Sequence, residues 1–292
     1  MHKHINLIIN ILINVMLLTS NASQLTKITD IQNALENHQK RMALAIGNDQ
    51  NFQKFVEKYS PPVDVIKEWV QNEYFIYQDS QSSIKKYQPN KFLVKDCSIS
   101  RIINAERLRK YIQEKKYTWI DVPKKYIFLA GNKWLVMADE IKTKGDDCYT
   151  MPFEQFKELF DIVVTTGYRD FYNRNVEIEL NDEKIYFIDT EDQAFAPSEF
   201  DGNKLLEYID HLEEYSIDMN TALSQEGVEW FELQKKGLIE KYTREPFTCT
   251  SIRSRKDLDD PTISTADVRK YISAFQDKNQ HIDFYQKRDC QT

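Results

Sequence analysis

Between Gly47 and Gly131 the chain contains no glycine, and the whole sequence of 292 residues has only 7. A loop whose backbone amides close tightly around phosphates draws on glycine, so such a loop has no counterpart over that stretch. Cysteine is scarce as well. Cys97, Cys148, Cys249 and Cys290 are widely spaced, with no C-x-x-C pair and no histidines at ligand intervals, which argues against a zinc site. Four thiols permit three full disulfide pairings, and free buried thiols stand beside them as the alternative. An excess of positive charge is also missing: Lys and Arg number 39 against 46 Asp and Glu, a net charge of −7. That balance argues against a sequence-independent grip on nucleic acid or on an anionic membrane surface.

What is present is enough apolar material for a core, 41% of the residues. The first residues differ from the rest. His2, Lys3 and His4 precede an apolar run from Ile5 to Leu18, interrupted by Asn6, Asn10 and Asn14, and small and polar residues follow to Ser23. This layout predicts a signal peptide over 1–23, too short and too polar for a comfortable membrane span. The mature chain is expected outside the cytoplasm, periplasmic or secreted, with no stable span after cleavage. An uncleaved N-terminal anchor is the alternative.

Apolar periodicity predicts a helical extension over 24–72: a helical pattern over 25–57, stopped by Pro61 and Pro62, then a short helix from Val63 to Val70. Strands are expected at 74–77 and 91–95, a charged amphipathic helix over 102–116, and strands at 126–129 and 134–138 joined at Gly131 to Lys133. A helix over 151–165 precedes a polar loop, two short strands follow with a turn at Asn181 and Asp182, and the remainder reads as helices, clearest over 205–215, 227–241 and 266–277. Trp119, Trp134, Trp230, Tyr126, Phe128, Tyr186 and Phe187 read as core residues. His38, His211 and His281 are isolated on polar stretches, and Asp257, Asp259 and Asp260 lack the glycine and the glutamate of a calcium loop, so they read as a solvated turn.

The segment with the most chemistry is Tyr168-Arg169-Asp170, with Asn175 five residues after the aspartate and Asp189 at the end of the second following strand. Phosphoryl transfer from ATP uses one carboxylate to orient the attacking hydroxyl, and an amide oxygen and a second carboxylate to hold magnesium. D-x-x-x-x-N followed by an apolar strand and Asp resembles the catalytic and metal-binding loops of protein kinases. That family also has a lysine closing a strand, a glutamate on the next helix, two strands and a hinge. Here Lys95 closes KFLVK, Glu106 lies on the helix, with Glu114 as the fallback, and Asp139-Glu140-Ile141 holds the hinge position.

The resemblance implies an α+β, bilobal, protein-kinase-like fold. Its N-lobe, over 73–141, would be a small antiparallel sheet; its C-lobe, over 142–292, would be reduced and mainly helical. It further implies Asp170 as catalytic base, Lys95 on the ATP phosphates and paired with Glu106, and Asn175 and Asp189 on Mg2+. The departures are concrete: no glycine-rich loop, Tyr168 where the family has histidine, and Thr190-Glu191 where it has Phe-Gly. Two functions follow as expectations, an exported ATP- and Mg2+-dependent phosphotransferase acting on a protein or small molecule, with a host cell as the source of ATP, or a pseudokinase that only binds. A third is an unrelated exported interaction protein in which the spacing is accidental.

Overall fold

The computed structural model describes residues 33, 36–66, 85–87, 92–96, 99–130, 133–139, 141–144, 151–171, 175–197, 199–200, 202–218, 224–242 and 246–279. The chain gathers into two compact units, one formed by 1–47 with 62–75 and the other by 48–61 with 76–292. In the first, residues 36–46 and 63–66 are helical. His38 is buried there rather than on a polar face. Burial, reinforced by the Arg41 charge, pushes its imidazole down to about 4.

The second unit opens with α1, Gln50–Tyr59, whose N-terminus is capped by Asp49: the carboxylate accepts the Phe52 N–H at 2.8 Å. Among the described residues, the helical pattern expected over 25–57 is therefore broken at Gly47 and restarted by that cap. The strand expected at 74–77 and the signal segment lie outside the described residues, and a strand absent from the sequence expectation, β1 (Lys85–Tyr87), is found instead.

From β2 (Phe92–Asp96) the chain runs through α2 (Ile99–Lys115), β3 (Ile120–Asp121), β4 (Lys125–Ala130) and β5 (Lys133–Asp139). An antiparallel sheet forms in the order β1-β2-β5-β4. The β4–β5 register closes at Ala130 opposite Lys133, which leaves two residues for the turn. Strand β5 buries Trp134, and the ring of Phe52 from α1 meets it edge-on at 5.1 Å while stacking on Tyr271 at 4.2 Å. Tyr271 belongs to α6 (Thr265–Asn279), so the first and last helices of the unit cover the sheet together.

Helix α3, Phe153–Thr166, buries Phe156, Leu159, Phe160 and Val163 at helical spacing. It stops at Gly167, which sits in the left-handed region at φ 70° and donates its N–H to Val163 O. Any side chain there would meet Cys249 Sγ at 2.9 Å and Ala196 Cβ at 3.0 Å, so the position demands glycine on two counts. Strands β6 (Val176–Ile178) and β7 (Ile185–Phe187) form the expected hairpin, joined on the far side of β7 by β3 running parallel. Beyond it come β8 (Glu199–Phe200), α4 (Gly202–Asp218), α5 (Gln225–Tyr242), β9 (Phe247–Thr248) and α6. The fold is mixed α+β, with one continuous apolar core running from the rear of α2 through α3 and the hairpin to α4. Among the described residues no helix is long and apolar enough to cross a membrane.

Candidate functional site

Two sets of backbone hydrogen bonds fix the segment 188–192. Upstream, the N–H groups of Ile188 and Asp189 both donate to Asn175 O, at 2.6 and 3.3 Å. Downstream, residues 167–169 pair with 194–196: Arg169 N–H donates to Ala194 O, Ala196 N–H to Gly167 O, and Tyr168 bridges Phe195. Tyr168 itself is fully buried, with Phe171, Phe187 and Phe195 edge-on around its ring. Its hydroxyl lies 3.1 Å from Asp189 O, 3.3 Å from Asp170 O and 3.5 Å from Asn175 O. One phenol thus gathers the main chains of all three residues singled out in this part of the sequence. With a single proton to donate, it favours the nearest acceptor, Asp189 O.

The side chains around Asp189 come from elsewhere. Arg101, on the first turn of α2, points Nη1 at both carboxylate oxygens of Asp189, 3.1 Å from each, and its Nη2 pairs with Glu191 Oε1 at 2.5 Å. Asp189 Oδ1 also accepts the Glu191 N–H at 3.0 Å. Both members of the Arg101–Asp189 pair are buried, in surroundings where a charge left alone is far more costly than at the surface. Asn104, one turn further along the same face of α2, donates to Thr190 O and to Asp192 Oδ1. Lys125, at the start of β4, is buried and gives Nζ–H bonds to Ile188 O and Thr190 Oγ1, both at 2.7 Å, while the Thr190 hydroxyl donates to Arg101 O. The 188–192 segment is therefore clamped from α2 and β4 through side chains and from Tyr168 through its backbone.

The other expected residues sit apart from this cluster. Lys95 pairs in register with Val136 between β2 and β5, and its side chain lies outside the described residues. Glu106 faces a different direction from Arg101: its carboxylate meets Lys58 at 3.8 Å, Arg109 at 3.2 Å and Lys110 at 3.9 Å. The fallback, Glu114, pairs with Arg255 at 3.1 Å. Asp170 is half-buried beside Tyr168. At the hinge position, burial raises the Asp139 carboxyl above the usual carboxylate range and pushes the neighbouring Tyr126 phenol up to about 12. Asp259, read from sequence as part of a solvated turn, is held bidentately by the buried Arg107, at 2.6 and 2.7 Å. Cys249 is a free thiol.

Sequence reasoning missed Arg101, Asn104 and Lys125. The spacing of Arg101 and Asn104 already puts them on one helical face, but their partners lie 86 to 90 residues away, and no local pattern marks that distance. Lys125 opens an apolar strand and carries no motif.

As arranged, these residues do not fit a divalent ion. Both Asp189 oxygens already face a guanidinium, and at about 4 Å a divalent and a monovalent cation repel by about 8 kcal/mol at an effective dielectric of about 20. A metal can reach this carboxylate only if Arg101 leaves it. Among the described residues, no three acidic, histidine or cysteine side chains are grouped as a metal site. No family model, curated protein or solved structure matches this chain.

Proposed function

We propose that this chain is an exported protein with a kinase-like architecture that serves as a binding module in the manner of a pseudokinase. The order of elements supports the architecture: a strand ending near Lys95, a helix, two strands reaching the hinge position, a helix, then the polar loop and hairpin that lead to Asp189. The single observation that carries the non-catalytic reading is Arg101 Nη1 on both oxygens of Asp189, where a phosphotransferase would keep its metal ligand open. The absence of glycine between Gly47 and Gly131 and the acidic Glu191 beside Asp189 agree with it. Export rests on the pattern of residues 1–23.

A thermal-shift titration of the full chain with ATP, with and without Mg2+, tests this. The expected result is no magnesium-dependent rise in Tm, because a ligand that does not bind the folded state cannot stabilise it. A magnesium-dependent rise that disappears in Asp189→Ala would overturn the reading in favour of a phosphotransferase acting on a protein or small molecule. One observation favours that second reading: the Tyr168 hydroxyl gathers the carbonyls of Asp170, Asn175 and Asp189, an economical way to hold a base and two further polar groups together.

A further inference from the structure

We infer that Arg253 and Arg269 form a binding site for a phosphoryl group, on the solvent side of Asp192. The two guanidiniums approach that carboxylate from different elements: Arg253 Nε stands 3.9 Å from Oδ1, and Arg269 Nη2 stands 3.8 Å from Oδ2. Neither distance is a hydrogen bond. The other described arginines of the second unit, Arg101, Arg107, Arg109, Arg169 and Arg255, all donate hydrogen bonds from their guanidiniums. Among the described residues, the guanidiniums of Arg253 and Arg269 donate none, and both residues are exposed. Two charged forks therefore converge on one point with their donors open. The inference uses none of Asp170, Asn175 and Asp189, so it goes beyond the kinase-like reading without resting on it.

The chemistry of the forks selects the ligand. A carboxylate has two oxygens, which match one guanidinium fork, whereas a phosphoryl group carries three oxygens and about two negative charges, enough to serve both forks at once. Asp192 does not fill that role: its Oδ1 already accepts the Asn104 amide at 3.0 Å, and it sets one negative charge against two positive ones. The arginines also spring from ordered backbone. Arg253 lies in the short turn Ile252–Ser254, whose Ile252 and Arg253 carbonyls accept from the buried Arg107 at 3.2 and 2.8 Å. Arg269 projects from α6, which buries Val268 and Ile272. A ligand held there has little backbone to order on binding.

The test is calorimetric titration of the full chain at low ionic strength, with inorganic phosphate and, separately, with a short uncharged peptide bearing phosphoserine. The wild type should bind phosphate, and Arg253→Gln combined with Arg269→Gln should weaken binding by about tenfold or more. Changing both arginines to lysine keeps the charges but loses the forks, so that variant should fall between the two; it serves as the readout if the glutamine variant does not fold by circular dichroism. Asp192→Asn removes the opposing charge and should tighten binding by about tenfold. Tighter binding of the phosphopeptide than of phosphate places the group on a protein partner; binding of phosphate alone places it on a small molecule. No binding of either ligand by the wild type overturns the inference, as does an affinity that the arginine variants leave unchanged or that Asp192→Asn fails to raise. ATP also carries phosphoryl groups, so a magnesium-independent rise in Tm with ATP, lost in the arginine variant, belongs to this site and leaves the reading of Asp189 untouched.

Discussion

Helix α2 presents charged groups in two directions, and the surroundings of the two groups differ. At its N-terminal end Arg101 meets Asp189 and Glu191 in the interior, with side-chain exposures of 7%, 11% and 19%. Five residues later Glu106 meets Lys58, whose other partner is Asp260, with exposures between 23% and 30%. The same chemistry is thus used once with little water and once with much more. The difference teaches where a charge is replaceable: at the rear, solvent takes the place of a lost partner, whereas at the front little water reaches Asp189 to do so.

Four substitutions or titrations sharpen that contrast. The largest effect is expected from Arg101→Ala, which removes the guanidinium from the buried Asp189 carboxylate and the half-buried Glu191 and should lower stability by about 3–5 kcal/mol. Urea unfolding measures it, and adding Asp189→Ala should recover part of the loss. A loss under about 1 kcal/mol would mean that water reaches this cluster as freely as it reaches Glu106. Next comes Tyr168→Phe, expected to lose about 1 kcal/mol for one hydrogen bond from a buried hydroxyl, with the ring packing retained; chemical denaturation of the variant gives the value.

Glu106→Gln should change stability by no more than about 1 kcal/mol, and the small difference from wild type should shrink in high salt. An effect of several kcal/mol, insensitive to salt, would erase the distinction between the two ends. The smallest effect concerns Asp260. Hydrogen bonds from the Thr262 hydroxyl and backbone N–H, followed by Lys58, hold its carboxyl below the usual carboxylate range. A carboxyl whose folded value is depressed adds stability above its unfolded value, near 3.9, and that stability is lost as pH falls towards the folded value. An NMR titration should therefore show Asp260 still ionised when model carboxylates are half protonated, and Lys58→Met should move its midpoint upward.

Much of the fold was legible because periodicity is local. The strands β2, β4 and β5, the helices α2 to α6 and the hairpin at Asn181 all follow from apolar spacing and turn residues. The break at Gly47 was not read, because apolar residues continue on both sides of it and the Asp49 cap is one residue in a polar run. In the site, Asp170, Asn175 and Asp189 were legible as a motif, and the structure gathers their backbones. The pairing of Asp189 with Arg101 was not, since it depends on which face of α2 turns towards the 188–192 segment. Glu106, chosen by its order in the chain, turns the other way, to Lys58.

The close packing at Gly167 also provides a chemical clock. The Cys249 sulfur seals the site where a side chain on Gly167 would go, and burial pushes its thiol up to about 11, so almost none of it is reactive thiolate at neutral pH. The residue is half-buried, so its reaction with a maleimide is slowed by the protonated thiol and by the close packing around Gly167. A faster rate of labelling at Cys249 then reports any change that loosens the packing at Gly167 or eases deprotonation of the thiol.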